Sequence, residues 1–335
     1  MTPGPTRRGR RTPVQPVTTS FLDDDFGLVI ESNFPELDLV SHINGSRERI
    51  VADLDRHGAV LFRGFSVPGP ESFGAAARAV SPDLLDYLER AAPRNEVADK
   101  VFTSTEFASD QVIPMHHEMS YSHNWPSRLY FYSDLPAETG GATPLASERR
   151  VTPHIPAEVR ERFSKQGVLY VRNYGEGIDL PWQEVFQTTD RAEVEGYCRQ
   201  SRTEFEWTAD NGLRTRAVRQ AMARHPRTGE QVWFNHAHLF HSSNMPPEVF
   251  DALRREYGIE GLPRNAYYGD GTPIEDDVVA SIGRLYDAAA VSFPWRRGDV
   301  LIVDNFLATH GRAPFTGLRR TLVAMSDLYV NRDFQ

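Results

Sequence analysis

The chain of 335 residues lacks the features that would place it in several common classes. Its single cysteine, Cys198, excludes an intrachain disulfide framework and a metal site built from cysteines alone. No apolar run approaches the roughly 18 residues of a membrane span, and the N-terminal stretch has no apolar segment typical of a secretory signal. We therefore expect a cytoplasmic protein in a reducing compartment, without a membrane partner.

Motifs for nucleotides and for serine hydrolases are also missing. No G-x-G-x-x-G follows a predicted strand, and neither a P-loop nor a G-x-S-x-G motif occurs. With 46 acidic against 37 basic residues, the charge argues against nucleic acid as a partner. Basic charge is concentrated locally in Arg7, Arg8, Arg10 and Arg11, within a proline-rich start. This composition predicts a disordered basic tail over residues 1–20.

Residues 21–335 predict one mainly β domain with helical decorations. Short β-branched and aromatic runs alternate with glycine and proline turns, a pattern typical of a sandwich or jelly roll. The runs lie at 168–172, 231–235, 291–293, 299–303 and 320–324. Helical periodicity predicts helices at 41–57, with Ser41 as the N-cap, at 68–90 with a break at Pro82, and at 156–165, 182–199, 247–257 and 275–288.

The segment 113–121 contains the most informative motif, His116-x-Glu118. Residues i and i+2 of a strand point to the same face, so an imidazole and a carboxylate share one side. His310, which follows the apolar run 299–303, supplies a third ligand. Two histidines and one carboxylate leave positions open for a co-substrate and O₂, as in non-haem Fe(II) oxygenases. His116, Glu118 and His310 are thus the predicted metal ligands and catalytic centre. A short H-x-E motif also occurs by chance, and its histidine is then an ordinary surface or core residue.

Two arginines downstream of His310 add a co-substrate to this prediction. The distal carboxylate of 2-oxoglutarate needs a fixed planar donor, and the guanidinium of Arg319 or Arg320 supplies paired hydrogen bonds. Alternation along a strand directs only one of them inward, and the other is then a solvated edge residue. Thr143 is the candidate hydroxyl that completes this clamp.

A second histidine group offers an alternative. His236, His238 and His241 could bind zinc, which would make the protein a cupin-like zinc hydrolase without 2-oxoglutarate dependence. The other interpretation is that these histidines pack or hydrogen-bond near the barrel mouth. His117 should point away from the face that His116 and Glu118 share.

Three polar or aromatic residues near the motifs are candidates for the substrate side. They are Tyr121, Trp125 and Asn235. A structural role is the alternative for each of them.

Several ordered motifs together resemble the TauD/TfdA family of Fe(II)/2-oxoglutarate-dependent dioxygenases. The likeness spans about residues 21–328 and is strongest to the natural-product branch that includes syringomycin-type aspartyl and aminoacyl hydroxylases. The motifs lie at 116–122, 125–126, 136–144, 171–174, 182–187, 225–229, 233–236, 293–295, 304–305 and 310–315, followed by Arg319.

This resemblance implies a double-stranded β-helix, or jelly roll, with iron on His116, Glu118 and His310. It implies 2-oxoglutarate on Thr143 and on an arginine. Relatives in this branch favour Arg319, whereas the spacing of the taurine enzyme favours Arg320. Related halogenases have glycine or alanine at the position of Glu118, so a carboxylate there implies hydroxylation.

The resemblance also implies a substrate class. It is an amino acid, either free or tethered to a peptidyl carrier protein of a nonribosomal peptide or antibiotic pathway. An unactivated C–H bond is hydroxylated with O₂ while succinate and CO₂ are released. Desaturation, epoxidation and cyclisation by the same iron chemistry stay open as alternatives.

Overall fold

The structure is a computed structural model that describes residues 15–332 except 87–88, 90–93, 105–106, 176–178 and 209–210. The four arginines of the predicted tail lie outside the described residues. The tail boundary at residue 20 needs correction, because Val17–Asp23 forms strand β1, which pairs antiparallel with β2 at Phe26–Ser32. The regular structure therefore begins before residue 21.

The described part of the chain is mainly β, as predicted. After β1 and β2 the strands are β3 Ala59–Arg63, β4 Glu96–Ala98, β5 Val101–Thr103, β6 Ile113–His116, β7 Asn124–Leu135, β8 Thr139–Gly140, β9 Leu145–Ser147, β10 Val168–Tyr174, β11 Glu204–Trp207, β12 Leu213–Arg219, β13 Met222–Arg224, β14 Gln231–Trp233, β15 Arg264–Tyr268, β16 Val300–Asp304, β17 Ala308–Arg312, β18 Phe315–Thr316 and β19 Arg320–Val330.

Helices are interspersed between these strands, as the periodicity predicted. They are α1 Leu39–His57, α2 Pro70–Val80, α3 Glu148–Val151, α4 Ala157–Gln166, α5 Trp182–Phe186, α6 Arg191–Gln200, α7 Ala237–Phe240, α8 Pro247–Tyr257 and α9 Asp276–Ala289, with 3-10 turns at Thr152–His154 and Ser242–Asn244. The helix predicted at 182–199 is two helices, because Gln187 takes a left-handed φ of 55° that ends α5.

The largest sheet in the described residues has the order β1-β2-β3-β16-β7-β19-β5-β4. Its central strands are buried on both faces, and β3 shows how. Val60 and Phe62 pack into the hydrophobic cluster beneath α1 and α2. Ala59 and Leu61 point to the opposite face and pack into a second hydrophobic cluster, which also contains Phe234 and Phe306. This alternation is the period of two expected of a strand, and it makes the sheet a rigid base for the residues that follow β16.

Helix α1 covers one face of this sheet. It buries Ile43, Ile50 and Leu54, and Gly58 ends it in the left-handed region with a φ of 70°. The N-cap is Asp38 rather than the predicted Ser41, since the Asp38 carboxylate accepts the Ser41 N–H at 2.7 Å.

Four smaller sheets accompany the large one in the described part of the chain. Two have the orders β6-β17-β9 and β11-β12-β10-β15, and two are the strand pairs β13-β14 and β18-β8. Helix α8 lies outside the hydrophobic cores, because none of its residues is buried. Among the described residues, no helix combines the length and the apolar character that crossing a membrane requires.

Candidate active site

The register of β6 and β17 brings the two predicted histidine ligands together. His116 is the last residue of β6 and pairs directly with His310 in the middle of β17. Their ring centroids are 4.3 Å apart. Residues separated by 194 positions in sequence therefore share one point because two short strands are antiparallel neighbours.

Glu118 reaches the same point from a turn, not from the strand that the i, i+2 argument assumed. Strand β6 ends at His116, and the backbone of Glu118 is held by the side chain of Asn305. The Asn305 Oδ1 accepts the Glu118 N–H at 2.8 Å, and its Nδ2 donates to the Glu118 carbonyl at 2.9 Å. Asn305 also donates to the Pro126 carbonyl at 2.8 Å, so one buried amide fixes the carboxylate's position.

The three side chains form one of two groups among the described residues that could hold a metal ion. One ligand atom from each of His116, Glu118 and His310 lies within 4.8 Å of the others. The His116 Nδ1–H donates to the Pro114 carbonyl at 2.8 Å, which leaves the Nε2 lone pair for a metal. His310 Nε2 lies 3.8 Å from Glu118 Oε2. This donor set fits a divalent iron ion.

The electrostatics of the site suit metal binding. Burial lowers the pKa of His116, with Glu118 opposing the shift, and burial holds the pKa of His310 well below its usual range. Both imidazoles are thus neutral near pH 7, the form that binds a metal. Arg94 Nη2 lies 3.1 Å from Glu118 Oε2, and both side chains are only 5% exposed.

The second possible metal group consists of Asp55, His225 and Asp304. Its atoms are already engaged, because Arg227 pairs with Asp55 and His225 bonds to Asp304 at 3.0 Å. His225 Nδ1 accepts the Thr228 N–H at 2.9 Å. We therefore regard this group as structural.

A small pocket beside the triad contains the residues predicted for 2-oxoglutarate. His116, His310, Thr143 and Arg319 all line it. Burial, with a contribution from Arg312, lowers the pKa of Arg319 to about 10. Arg320 points away, being 61% exposed in its side chain and paired with Asp134. The geometry thus favours Arg319 over Arg320.

A larger cavity of about 460 Å³ also reaches the triad and has both His116 and Glu118 in its wall. Tyr121 also lines it, but its hydroxyl donates to the Glu89 carbonyl at 2.8 Å. Trp125 is instead in the core against Phe234 and Tyr329. Of the residues predicted on the substrate side, Tyr121 therefore lines the cavity and Trp125 does not.

Asn235, the third, does not line this cavity. It is fully buried, donates to the Ala221 carbonyl and accepts the Ala237 N–H at 2.9 Å. Its polar groups are used to brace the start of α7, because an amide with partners on both ends stabilises a backbone turn.

The second histidine group does not converge on a point. His236 Nδ1 contacts Ser120 Oγ at 2.6 Å, His238 Nε2 donates to the Met115 carbonyl at 2.7 Å, and His241 Nδ1 contacts Ser243 Oγ at 2.8 Å. Within the described residues these three are not among the possible metal groups. The zinc site predicted as an alternative is therefore not supported.

His117 points away from the triad, as expected. It is fully buried, and its ring nitrogens face the carbonyls of Asn305 and Trp233 and the carboxylate of Glu148.

Sequence reasoning missed several residues of the site. Arg94, Asp179 and Arg264 all line the cavity. None of them carries a local signal, because they come from distant segments without a recognisable period. His236, which the sequence placed in the alternative zinc group, lines the cavity as well. Asn305 did have one, since it stands in the 304–305 motif just ahead of His310.

Comparison with known proteins places this geometry in a family. The chain matches the model described as "Taurine catabolism dioxygenase TauD, TfdA family" over residues 16–326. The chain belongs to the TauD/TfdA family. This confirms the predicted enzyme class, an Fe(II)- and 2-oxoglutarate-dependent dioxygenase, and removes the zinc hydrolase alternative.

Two curated relatives cover most of this TauD/TfdA member. It is 41% identical over 274 residues to the dapdiamide synthesis protein DdaC of Enterobacter agglomerans, covering 82% of this chain and 83% of that protein. It is 34% identical over 285 residues to a clavaminate synthase-like protein of Arabidopsis thaliana, covering 81% and 82%.

Among solved structures, PvcB of Pseudomonas aeruginosa matches with a TM-score of 0.54 and 18% identity over 96% of this chain and 94% of that chain. At that identity the likeness concerns the fold alone.

Proposed function

We propose that this TauD/TfdA member is a hydroxylase that inserts oxygen into an unactivated C–H bond of an amino acid or aminoacyl substrate. In this proposal His116, Glu118 and His310 hold Fe(II), and Thr143 and Arg319 hold 2-oxoglutarate. Bound iron, 2-oxoglutarate and O₂ supply the oxidising power, with succinate and CO₂ as products. The protein contributes binding, orientation and exclusion of water.

The observation that carries the proposal is that the triad lines two unlike pockets. Its three ligand atoms lie within 4.8 Å of one another. His116 and His310 line a small pocket with Thr143 and Arg319, and His116 and Glu118 line the cavity of about 460 Å³. Co-substrate and substrate can thus reach one metal from different pockets.

The small pocket has the chemistry that a dicarboxylate needs. Arg319 uses its Nε to donate to the Gly141 carbonyl at 3.1 Å, which orients the guanidinium. Thr143 Oγ1 accepts the Trp295 Nε1–H at 3.0 Å and keeps its own hydrogen to donate. A guanidinium and a hydroxyl fixed in this way match the distal carboxylate of 2-oxoglutarate.

The carboxylate of Glu118 supports hydroxylation over halogenation, because it occupies the place that chloride would need. The name of DdaC, a dapdiamide synthesis protein, supports a role in natural-product biosynthesis. We also propose that the large sheet and the smaller sheets together form the double-stranded β-helix of this family. The cytoplasmic location and a peptidyl carrier partner remain predictions from sequence.

The test is anaerobic reconstitution with Fe(II) and 2-oxoglutarate. We expect the weak visible charge-transfer band of an iron-bound 2-oxo acid, and succinate formation once O₂ is admitted. Product mass distinguishes added oxygen from added chlorine when chloride is present. Properly loaded iron without the band would contradict the proposal.

A further inference from the structure

The wall of the substrate cavity contains an ion pair that the oxidation chemistry does not use. Arg264 Nη2 lies 2.7 Å and 2.9 Å from the two carboxylate oxygens of Asp179. The two side chains are 22% and 10% exposed, and both line the cavity. Because taking such a pair out of water costs free energy, its place on a cavity wall points to a ligand.

The pair has binding capacity left. Arg264 uses only Nη2 for Asp179, and its Nε and Nη1 have no hydrogen-bond partner among the described residues. Asp179 Oδ1 also accepts the Leu180 N–H at 2.9 Å, which fixes the carboxylate. One cation with free donors and one anion therefore stand side by side.

We propose that Arg264 binds the carboxylate and Asp179 the ammonium group of a free α-amino acid, so that the enzyme acts on a free amino acid rather than on a carrier-bound thioester. The inference rests on the proposed function, since it concerns the substrate of that same site. A zwitterion matches both partners, whereas a thioester has no carboxylate for Arg264.

A row of ring contacts connects the metal ligands to the ion pair. His116 and His236 have ring centroids 5.5 Å apart, His236 and Phe240 5.2 Å, and Arg264 Cζ lies 5.2 Å from the Phe240 ring. The ion pair and two of the triad residues, His116 and Glu118, line the same cavity. In this inference the amino-acid group is held at the ion pair and its side chain extends toward the triad.

The cavity between the two ends suits such a chain. Leu239, Met245, Val249 and Leu253 contribute apolar surface to it. An unbranched side chain buries its methylene groups there at a gain in free energy.

The experiment measures binding, not turnover. Protein loaded anaerobically with Fe(II) and 2-oxoglutarate is titrated with L-norleucine, L-lysine and L-citrulline. The tightest of these is then compared with its α-carboxamide, its Nα-acetyl derivative and its N-acetylcysteamine thioester. Calorimetry and the change in the charge-transfer band report binding. We expect each derivative to bind about tenfold more weakly or worse, because each leaves a charged partner unmatched.

Variants assign the two ends. Arg264→Gln should weaken binding of the free amino acid about tenfold and leave binding of the α-carboxamide nearly unchanged. Asp179→Asn should weaken binding of the free amino acid by a similar factor and leave binding of the Nα-acetyl derivative nearly unchanged. Arg264→Lys keeps the charge and should retain part of the affinity. Arg216→Gln is the matched control, because Arg216 pairs with Glu260 at the surface and does not line the cavity.

The outcomes separate this inference from the proposed function. The inference alone would be overturned if the free amino acid and its carboxamide bound equally well, or if Arg264→Gln lowered the affinity for both by the same factor. It would also be overturned if no free amino acid bound to protein that shows a normal charge-transfer band. Tighter binding of the thioester would overturn it in favour of a carrier-bound substrate. Absence of the band in wild type would contradict the proposed function itself.

Discussion

The two histidine groups of this protein look alike in sequence and differ in whether their ligand atoms meet at one point. In the first, His116 uses Nδ1 for the Pro114 carbonyl and keeps Nε2 for the point it shares with Glu118 and His310. In the second, His238 and His241 each direct a ring nitrogen to a different nearby group. Composition alone could not separate the two groups, whereas the convergence of the first group on one point does.

The neighbouring arginines show the same contrast. Arg319 enters the small pocket, whereas Arg320 pairs with Asp134 outside it. Residues of one type become functional here when their remaining donors or lone pairs face a shared space. The predictions below test this distinction with matched pairs of variants.

The largest effect is expected from removing a ligand. His310→Ala should lower iron affinity more than about 100-fold and abolish succinate formation, because two ligands remain. His241→Ala, in the other histidine group, should retain the metal. Metal content after gel filtration measures both, and equal retention by the two variants would contradict the assignment.

The arginine pair should separate almost as clearly. Arg319→Ala is expected to weaken 2-oxoglutarate binding roughly 100-fold, since a buried carboxylate loses its paired donors. Arg320→Ala should change it less than about twofold, as expected for an exposed ion pair. Titration of the charge-transfer band measures both constants, and the reverse order would assign the co-substrate to Arg320.

Two asparagines provide a finer comparison, because each braces the backbone of one histidine group. Asn305→Ala should lower iron affinity roughly 10- to 100-fold through the displaced Glu118. Asn235→Ala should leave iron affinity unchanged and lower the free energy of unfolding by about 1–3 kcal/mol. Chelator competition and urea unfolding measure the two quantities. Loss of iron in Asn235→Ala would show that the two groups are coupled.

The smallest effect concerns pH. Burial lowers the pKa of His238 from 6.5 to about 4. Below pH 6.5 the unfolded chain binds a proton at this residue before the folded one does, so the free energy of unfolding falls until about pH 4. Between pH 7 and pH 5.5 we expect His238 to account for a loss of about 1 kcal/mol. His238→Gln should remove that part of the slope in urea unfolding, and an unchanged slope would contradict it.

Much of the metal centre could be predicted from sequence because its signals are local. His116 and Glu118 are two residues apart, and His310 follows an apolar strand. The reasoning for Glu118 was incomplete, however, since the residue lies in a turn that Asn305 holds rather than in β6. Glu118 thus lies in the candidate metal group, although the i, i+2 rule that predicted it does not apply to a turn.

The substrate side could not be predicted for a physical reason. Asp179 follows β10, and Arg264 begins β15, which pairs antiparallel with β10. Their meeting depends on long-range strand pairing, which no local periodicity encodes. Helices depend on local signals, and α4, α8 and α9 were predicted to within one residue, although the helix predicted at 68–90 ends at Val80. The pairing of β7 with β19 and β16 is long-range and was not predicted.

Helix α8 has a consequence for how this enzyme can change over time. Val249 and Leu253 face the cavity, yet no residue of α8 is buried in a core. Exchanging these side chains therefore alters what the cavity accepts while removing little buried apolar surface. A lineage can explore new substrates through this helix without losing its fold, and directed evolution of the enzyme would sensibly begin there.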